Sequence, residues 1–310
     1  LWYHQEVEGN RTDTRVCNLS YACIDWYVEQ MLRPAYDSPA LPLGWEEKDY
    51  KWGANAYVQI EPEIAASFMS LYEKEPATME RVFGKAPFEL KNILKHWVFE
   101  RTDGMSDEDI RLRKYVKALV CGREHEWQTA DIRCFPTDST YVSLPDGRRM
   151  NLSLAEEKLL LMNDLLLLQL LSDTTINRPL YVTTSMDLNE ISYIKPHLSL
   201  EGLLYRVVPA CGEENSIMVN TAVMYDNVMN RFRFGGLELG NIYADYDVRK
   251  MLYTHQQKMA MLVDALMREG DMERALSVVR KWQSDYPQEY IMYDRMLLLF
   301  AECLYLAGST

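Results

Sequence analysis

The sequence predicts an α/β fold, a small and mainly parallel sheet with helices over residues 1–240, followed by an all-α unit of repeat-like helices over 241–310. Three observations lead there. Short runs rich in β-branched and aromatic residues alternate with helical stretches in the first part, the pattern of crossovers in a covered sheet. A block over about 61–134 turns helical and reads as an insertion in that domain. The last part carries helix, Gly-Asp turn, helix and proline in succession.

In chain order, Leu1 to Val7 is helix-like and passes through Gly9 into the first predicted strand, "TRVCNLS" (Thr14 to Ser20). Residues 34–60 are proline-rich (Pro34, Pro39, Pro42), show little periodicity, and read as a long ordered loop. In the helical block, Ser106 is placed as an N-cap with Asp109 three positions on, a capping box with Asp in the usual Glu position. Gly122 sits where a left-handed residue ends that helix. "KLLLMNDLLLLQLLSD" (Lys158 to Asp173) is too short for a bilayer span, is broken by Asn163, Asp164 and Gln169, and reads as a buried helix. Two more strands are predicted, "RPLYVTTS" (Arg178 to Ser185) and "LLYRVVP" (Leu203 to Pro209), with helical "DLNEISYI" between them.

The C-terminal stretch "MLVDALMREGDMERALSVVRKWQSDYP" resembles a tetratricopeptide repeat, with Gly270, Ala275 and Pro287 in the expected places. It departs from that pattern at Val263 and Trp282, where the motif has small residues. Ala301, in the helix that follows, is the next candidate small packing residue, giving about one and a half repeats. One repeat cannot bury its own apolar face, so these helices are expected to stack on each other and on the α/β domain.

Composition narrows the function. The 310 residues are 48% apolar and 25% charged, the balance of a globular chain with enough length for two cores. Lys plus Arg is 33 against 46 Asp plus Glu, a net charge of −13, which repels nucleic-acid phosphates and anionic lipid; no nucleic-acid partner is expected. Six cysteines (Cys17, Cys23, Cys121, Cys134, Cys211, Cys303) form no Cys-x-x-Cys and have no His at metal-ligand spacing. They read as buried free thiols, with Cys17–Cys23 or Cys121–Cys134 disulfides open in an oxidising compartment.

Catalytic signatures are missing from the sequence. It has no dinucleotide or kinase-type glycine loop and no Gly-x-Ser-x-Gly elbow, and "HEWQT" at His125 lacks the second His of a zinc-protease helix. His4, His96, His125, His197 and His255 are scattered and read as structural or exposed. The acidic run "DGMSDED" (Asp103 to Asp109) lacks the alternating ligands of a calcium loop and reads as acids at a helix N-terminus. No cofactor and no metal are expected. The most suggestive cluster is aromatic: Trp45, Tyr50, Trp52 and Tyr57, among Glu46, Glu47, Lys48 and Asp49. Flat rings beside polar groups can stack on sugar faces while carboxylates bind hydroxyls; the same rings can instead pin a loop to its domain. An acid pair such as Glu46 and Asp49 would be needed for any glycosidase-like chemistry.

Six stretches in order, "LWYHQEVEGNRTDTRVCNLS", "YDSPALPL", "NRPLYVTTS", "EGLLYRVVP", "MYDNVMNRFRFGG" and "NIYADYDVRKM", resemble the soluble C-terminal region of a family of large bacterial multi-spanning membrane proteins. That soluble region is a domain of unknown function. The family's membrane part is similar to GT-C-type, lipid-phosphate-sugar-dependent glycosyltransferases, and is distantly related to a eukaryotic protein O-mannosyltransferase. The resemblance spans most of the chain except about 61–117. It implies a piece that begins just after the first strand of its α/β domain, lies on the periplasmic side, and has its own N-terminal membrane domain as a partner. It carries over no catalytic residue. The implied role is non-catalytic: binding or positioning an acceptor polypeptide or glycan, or packing on the membrane domain, through the repeat groove or the aromatic loop. The alternatives are a carbohydrate-binding or carbohydrate-acting domain using residues 45–57, and a pure protein-interaction scaffold.

Overall fold

The structure is a computed structural model, and it describes residues 2–51, 53–55, 57–61, 63–129, 133–136, 140–154, 157, 159–174, 178–212, 216–239, 243–291 and 293–308. Helix and small sheets are mixed, with helices at the C-terminal end, and the chain divides into two compact units, Leu1–Pro179 and Leu180–Thr310. The cut falls well before residue 240, because the strands after Pro179 belong with the C-terminal helices.

Unit 1 opens with α1 (Trp2–Glu6), a 3-10 turn (Leu19–Cys23) and α2 (Asp25–Met31). The expected strand Thr14–Ser20 does not form. The Asn18 N–H donates to Tyr27 Oη (2.7 Å) and the Asn18 side chain accepts from the Ser20 N–H (3.0 Å), so its polar groups cap a turn instead of joining a ladder. The expected long loop contains a short helix, α3 (Glu47–Tyr50), and ends in β1 (Tyr57–Ile60).

The helical block follows as α4 (Ile64–Lys74), α5 (Pro76–Phe83), α6 (Leu90–Ile93) running into a π turn (Leu94–Val98), and α7 (Asp107–Val120). It returns to β2 (Cys134–Phe135), which pairs parallel with β1, so the block is the crossover between two parallel strands. Its core is aromatic: Phe83 stacks on Trp97 at 5.0 Å, and Phe68 meets Phe83 edge-on at 4.9 Å. Ser106 Oγ accepts from the Asp109 N–H and Gly122 adopts φ +66°, as the sequence pattern requires. Two cations of α7 are buried, Arg113 and Lys117. They donate to carbonyls where the π turn ends: Lys117 Nζ to Trp97 O (3.0 Å), and Arg113 to Glu100 O (3.0 Å) and Arg101 O (2.7 Å). Those carbonyls have lost their helical partners, and cations at a helix C-terminus satisfy both their hydrogen bonding and the dipole.

A hairpin of β3 (Tyr141–Ser143) and β4 (Arg149–Asn151) comes next, then β5 (Leu159–Leu161) and α8 (Met162–Thr174). The apolar run from Lys158 is therefore a strand and then a helix. Leu159–Leu161 pair antiparallel with β1 to complete the order β2-β1-β5, and Leu165, Leu166, Leu168 and Leu171 of α8 are fully buried.

Unit 2 holds β6 (Tyr181–Thr183), β7 (Leu198–Leu200), β8 (Leu204–Val207) and β9 (Met218–Val219), in the order β6-β8-β7-β9. The expectation of a mainly parallel sheet is corrected here: β6–β8 and β7–β8 are antiparallel, and only β7–β9 is parallel. "DLNEISYI" makes turns and a 3-10 segment (Ser192–His197) rather than a crossover helix, and delivers a strand that the pattern did not show. A short link through Gly202 then reverses the chain, which only antiparallel strands permit.

Then come α9 (Thr221–Asp226), with a π turn at Asn227–Arg231, α10 (Tyr246–Arg268), α11 (Met272–Asp285) and α12 (Leu297–Leu306). Gly270 (φ +80°) makes the turn between α10 and α11, and Asp271 caps α11 by accepting from the Arg274 N–H at 3.0 Å. Val263, Ala275 and Trp282 are buried, and Trp282 meets Phe300 of α12 at 4.7 Å. Ala301 faces outward; Phe300 and Cys303 make the packing face of α12 instead. No helix among the described residues is long and apolar enough to cross a membrane.

Candidate functional site

The aromatic loop singled out in the sequence is divided: Trp45, Asp49 and Asn55 turn into the core, while Glu46, Glu47, Lys48, Lys51 and Tyr57 stay exposed. Trp45 is 7% exposed and packs on Phe99 at 5.4 Å. Asp49 is buried, and both its oxygens take hydrogen bonds from the Arg101 guanidinium, Oδ1 at 3.0 Å. Its Oδ2 also accepts from the Glu46 N–H at 2.6 Å, closing a capping box on α3. Glu46 stays outside, where the Lys48 ammonium lowers its carboxyl below the usual range. Tyr50 is half-buried. Tyr57 is exposed because β1 alternates, turning Val58 and Ile60 inward. Trp52 lies outside the described residues.

The five described residues of that set therefore do not form one site. The buried Trp45 indole offers no face to a sugar, and Asp49 is consumed by Arg101, so among the described residues Trp45 gives no stacking platform and the Glu46–Asp49 acid pair is not assembled.

The histidines are likewise structural or peripheral. His96 Nδ1 lies 3.2 Å from Arg113 Nη1 and must accept there, because a guanidinium only donates. Burial, then the Arg113 charge, pushes the His96 pKa down to about 4. His197 Nδ1 contacts Ala210 O (2.9 Å), and His255 sits between Phe232 and Phe234. His4 and His125 pair with Glu8 and Glu126 on the surface. No group of three His, Cys, Asp or Glu among the described residues could hold a metal ion.

A different arrangement stands at the start of the chain. An open cleft of about 560 Å³ lies between α1, the extended segment Thr14 to Val16, the end of α2 and the turn at Pro34 to Tyr36. Local chemistry builds its walls. Gln5 Nε2 donates to Arg11 O (2.8 Å) and Thr14 O (2.9 Å), folding the segment after α1 back on itself through Gly9 (φ +64°). Thr12 Oγ1 donates to Asp37 (2.6 Å), and an isolated bridge joins Ala35 and Ser38, which together tie that segment to the turn. Arg15 Nη2 donates to Gln30 O at 2.5 Å, while Arg15 Nε is buried without a hydrogen-bond partner. Arg33 is engaged by Glu29, and Glu6, the acid in the lining, accepts from Tyr36 Oη, which raises the Tyr36 pKa.

Rings crowd the cleft. Trp2 is 44% exposed and Tyr36 62%. Trp2 stacks on Tyr21 (6.3 Å, 14° between planes), and Tyr21 continues to Trp26 and Tyr27. Exposed rings, amides, two guanidinium groups and one engaged carboxylate equip the cleft to bind rather than to transfer protons. Sequence reading passed it over, although Trp2, Tyr3, Tyr21, Trp26, Tyr27 and Tyr36 made the opening stretch as aromatic as the loop it preferred.

Comparison with known proteins adds a family. Two curated proteins of Tabanus yao, Tabinhibitin 4 and Tabinhibitin 3, are each 25% identical over 120 residues, 39% of this chain and 47% and 46% of theirs. The chain thus spans about half the length of the curated relatives it matches. No solved structure matches it. A family model described as TMEM260-associated domain 2 matches residues 1–227, a span that holds both the cleft and the aromatic loop. The chain belongs to that family, a domain associated with a membrane protein.

Proposed function

We propose that this domain is a non-catalytic part of a membrane glycosyltransferase-like protein, where it binds and positions an acceptor polypeptide in the N-terminal cleft. The reading follows the resemblance to proteins related to protein O-mannosyltransferases, and it places the domain on the periplasmic side beside its membrane part. The observation that carries it is the composition of the cleft: exposed Trp2 and Tyr36 beside the amides of Gln5 and Gln30, rings and hydrogen-bonding groups that suit a polypeptide. A glycosidase needs two carboxyl groups flanking a bond, and the cleft lining offers Glu6 alone. The paired helices α10 and α11, read as tetratricopeptide-like, support the domain as a scaffold.

The test is transfer of labelled sugar from a lipid-linked donor by the membrane-bound parent, with the wild-type domain or with Trp2→Ala plus Tyr36→Ala. The expected result is transfer reduced about tenfold through a higher acceptor KM, the loss of about 1.4 kcal/mol of binding. Unchanged transfer and unchanged acceptor binding would remove the reading.

A further inference from the structure

Cys121 caps the C-terminus of α7, and Cys134 opens β2. Of the two pairings left open by spacing, the structure brings together this one: the sulfurs lie 3.3 Å apart. Cys17 instead lies beside Tyr27, burial pushing its thiol up to about 11, and the Cys23 thiol turns to Asn163 at 3.5 Å. A disulfide bond is about 2.05 Å long, so a closure of about 1.3 Å joins Cys121 to Cys134. The two elements carrying them are already fixed: Lys117 anchors α7 to Trp97 O, and β2 is held in register on β1.

We propose that Cys121 and Cys134 are a disulfide-forming pair, oxidised by exchange with a small-molecule or protein disulfide, and that the bond staples α7 to the β2-β1-β5 sheet. The two sulfurs are not equivalent. Cys121 is half-buried and Cys134 fully buried, so an incoming disulfide reaches Cys121. The Cys134 thiol hydrogen-bonds to Cys121, and with Lys117 and Arg123 nearby this lowers the Cys121 pKa, while Cys134 is raised by the same contact and by burial. The Cys121 thiolate attacks one sulfur of the donor, breaking its S–S bond and releasing one thiolate, which takes the Cys134 proton. The Cys134 thiolate then attacks Cys121 Sγ and expels the second thiolate, which takes up the proton Cys121 had given to water. The donor disulfide gains two electrons and becomes two thiols; the cysteine pair loses two electrons and becomes one disulfide.

The experiment equilibrates the native chain in oxidised and reduced glutathione at graded ratios, quenches with acid, alkylates in denaturant, and maps peptides by mass spectrometry. The expected result is a fall from six alkylated thiols to four, with a cross-linked peptide containing Cys121 and Cys134. Closing this 13-residue segment should raise Tm by about 5–10 °C. Cys134→Ser should instead accumulate glutathione on Cys121, a readout that needs only the wild-type fold to persist. Six alkylated thiols at every ratio, stable glutathionylation of Cys121 in the wild type, or a cross-link to any other cysteine would each overturn the proposal.

Discussion

The opening stretch, residues 2–36, and the loop at 45–57 are alike as sequence: rings interleaved with acids and amides, little periodicity, glycine or proline at the bends. In the fold they go opposite ways. Of its rings the first buries only Tyr27 and keeps Trp2, Tyr3, Tyr21, Trp26 and Tyr36 exposed; the second turns Trp45 and Asp49 inward. What separates them is a partner supplied from far along the chain. Arg101, 52 residues after Asp49, neutralises that carboxylate and also donates to Gly44 O (3.3 Å), so the loop can be buried without leaving a bare charge. Ion pairs in the opening stretch are between near neighbours, such as Arg11 with Asp13 and His4 with Glu8, both exposed, and such pairs pull nothing into a core.

The largest effect should come from breaking that long-range pair. Arg101→Ala would leave Asp49 buried and uncompensated, with an expected loss of about 3–5 kcal/mol in denaturant unfolding of the chain. Adding Asp49→Asn to Arg101→Ala should recover part of that loss, since the orphaned charge goes with it. If Arg101→Ala changed stability by less than about 1 kcal/mol, the contrast between the two regions would lose its cause.

A second measurement varies pH. His96 lies under the same anchor, accepting from Arg113, which in turn donates to Arg101 O. Its folded pKa of about 4 lies below the ordinary value of 6.5. Between those values the unfolded chain binds one more proton than the folded chain, so stability rises with pH across that window. The contribution is complete above pH 6.5 and is lost as pH falls toward 4, up to about 3 kcal/mol. His96→Gln keeps an acceptor for Arg113 and should flatten this part of the stability–pH curve. A slope as steep in the variant as in the wild type would show that other groups set it.

How much of this was legible depended on how local the determining contacts are. The caps at Ser106, Gly122 and Gly270 involve neighbours within one turn and were readable directly from spacing. The sheet was not. Strand direction in unit 2 depends on β7, a three-residue strand preceded by a 3-10 segment, and neither leaves a periodicity long enough to see. The same limit governed the site. Arg113 and Lys117 sit in a helix whose charges look solvent-facing, yet both turn inward to carbonyls at the end of a π turn. Nothing in the spacing of Trp45 and Asp49 reveals Arg101. Ring density with acids marks candidates for binding; whether a distant cation claims the acid decides if the rings stay outside.

The smallest stability change should accompany the largest loss of binding, and one pair of substitutions tests this. Trp45→Ala removes a buried indole from the Phe99 contact and should cost about 3–5 kcal/mol of stability. Trp2→Ala removes a ring that is nearly half in solvent, and its stability change should stay within about 0.5 kcal/mol. In acceptor-polypeptide binding to the folded protein the order reverses: Trp2→Ala should weaken affinity about threefold, half in free energy of the tenfold expected when Tyr36 is also removed, while Trp45→Ala, measured where it is still folded, should leave it unchanged. The reversal matters more than either number, because a residue that merely stabilises the fold loses stability without affinity, while a cleft wall loses affinity without stability. Equal losses of stability in the two variants would place Trp2 in a core as Trp45 is, and the distinction between a cleft wall and a core residue would fail at its simplest point.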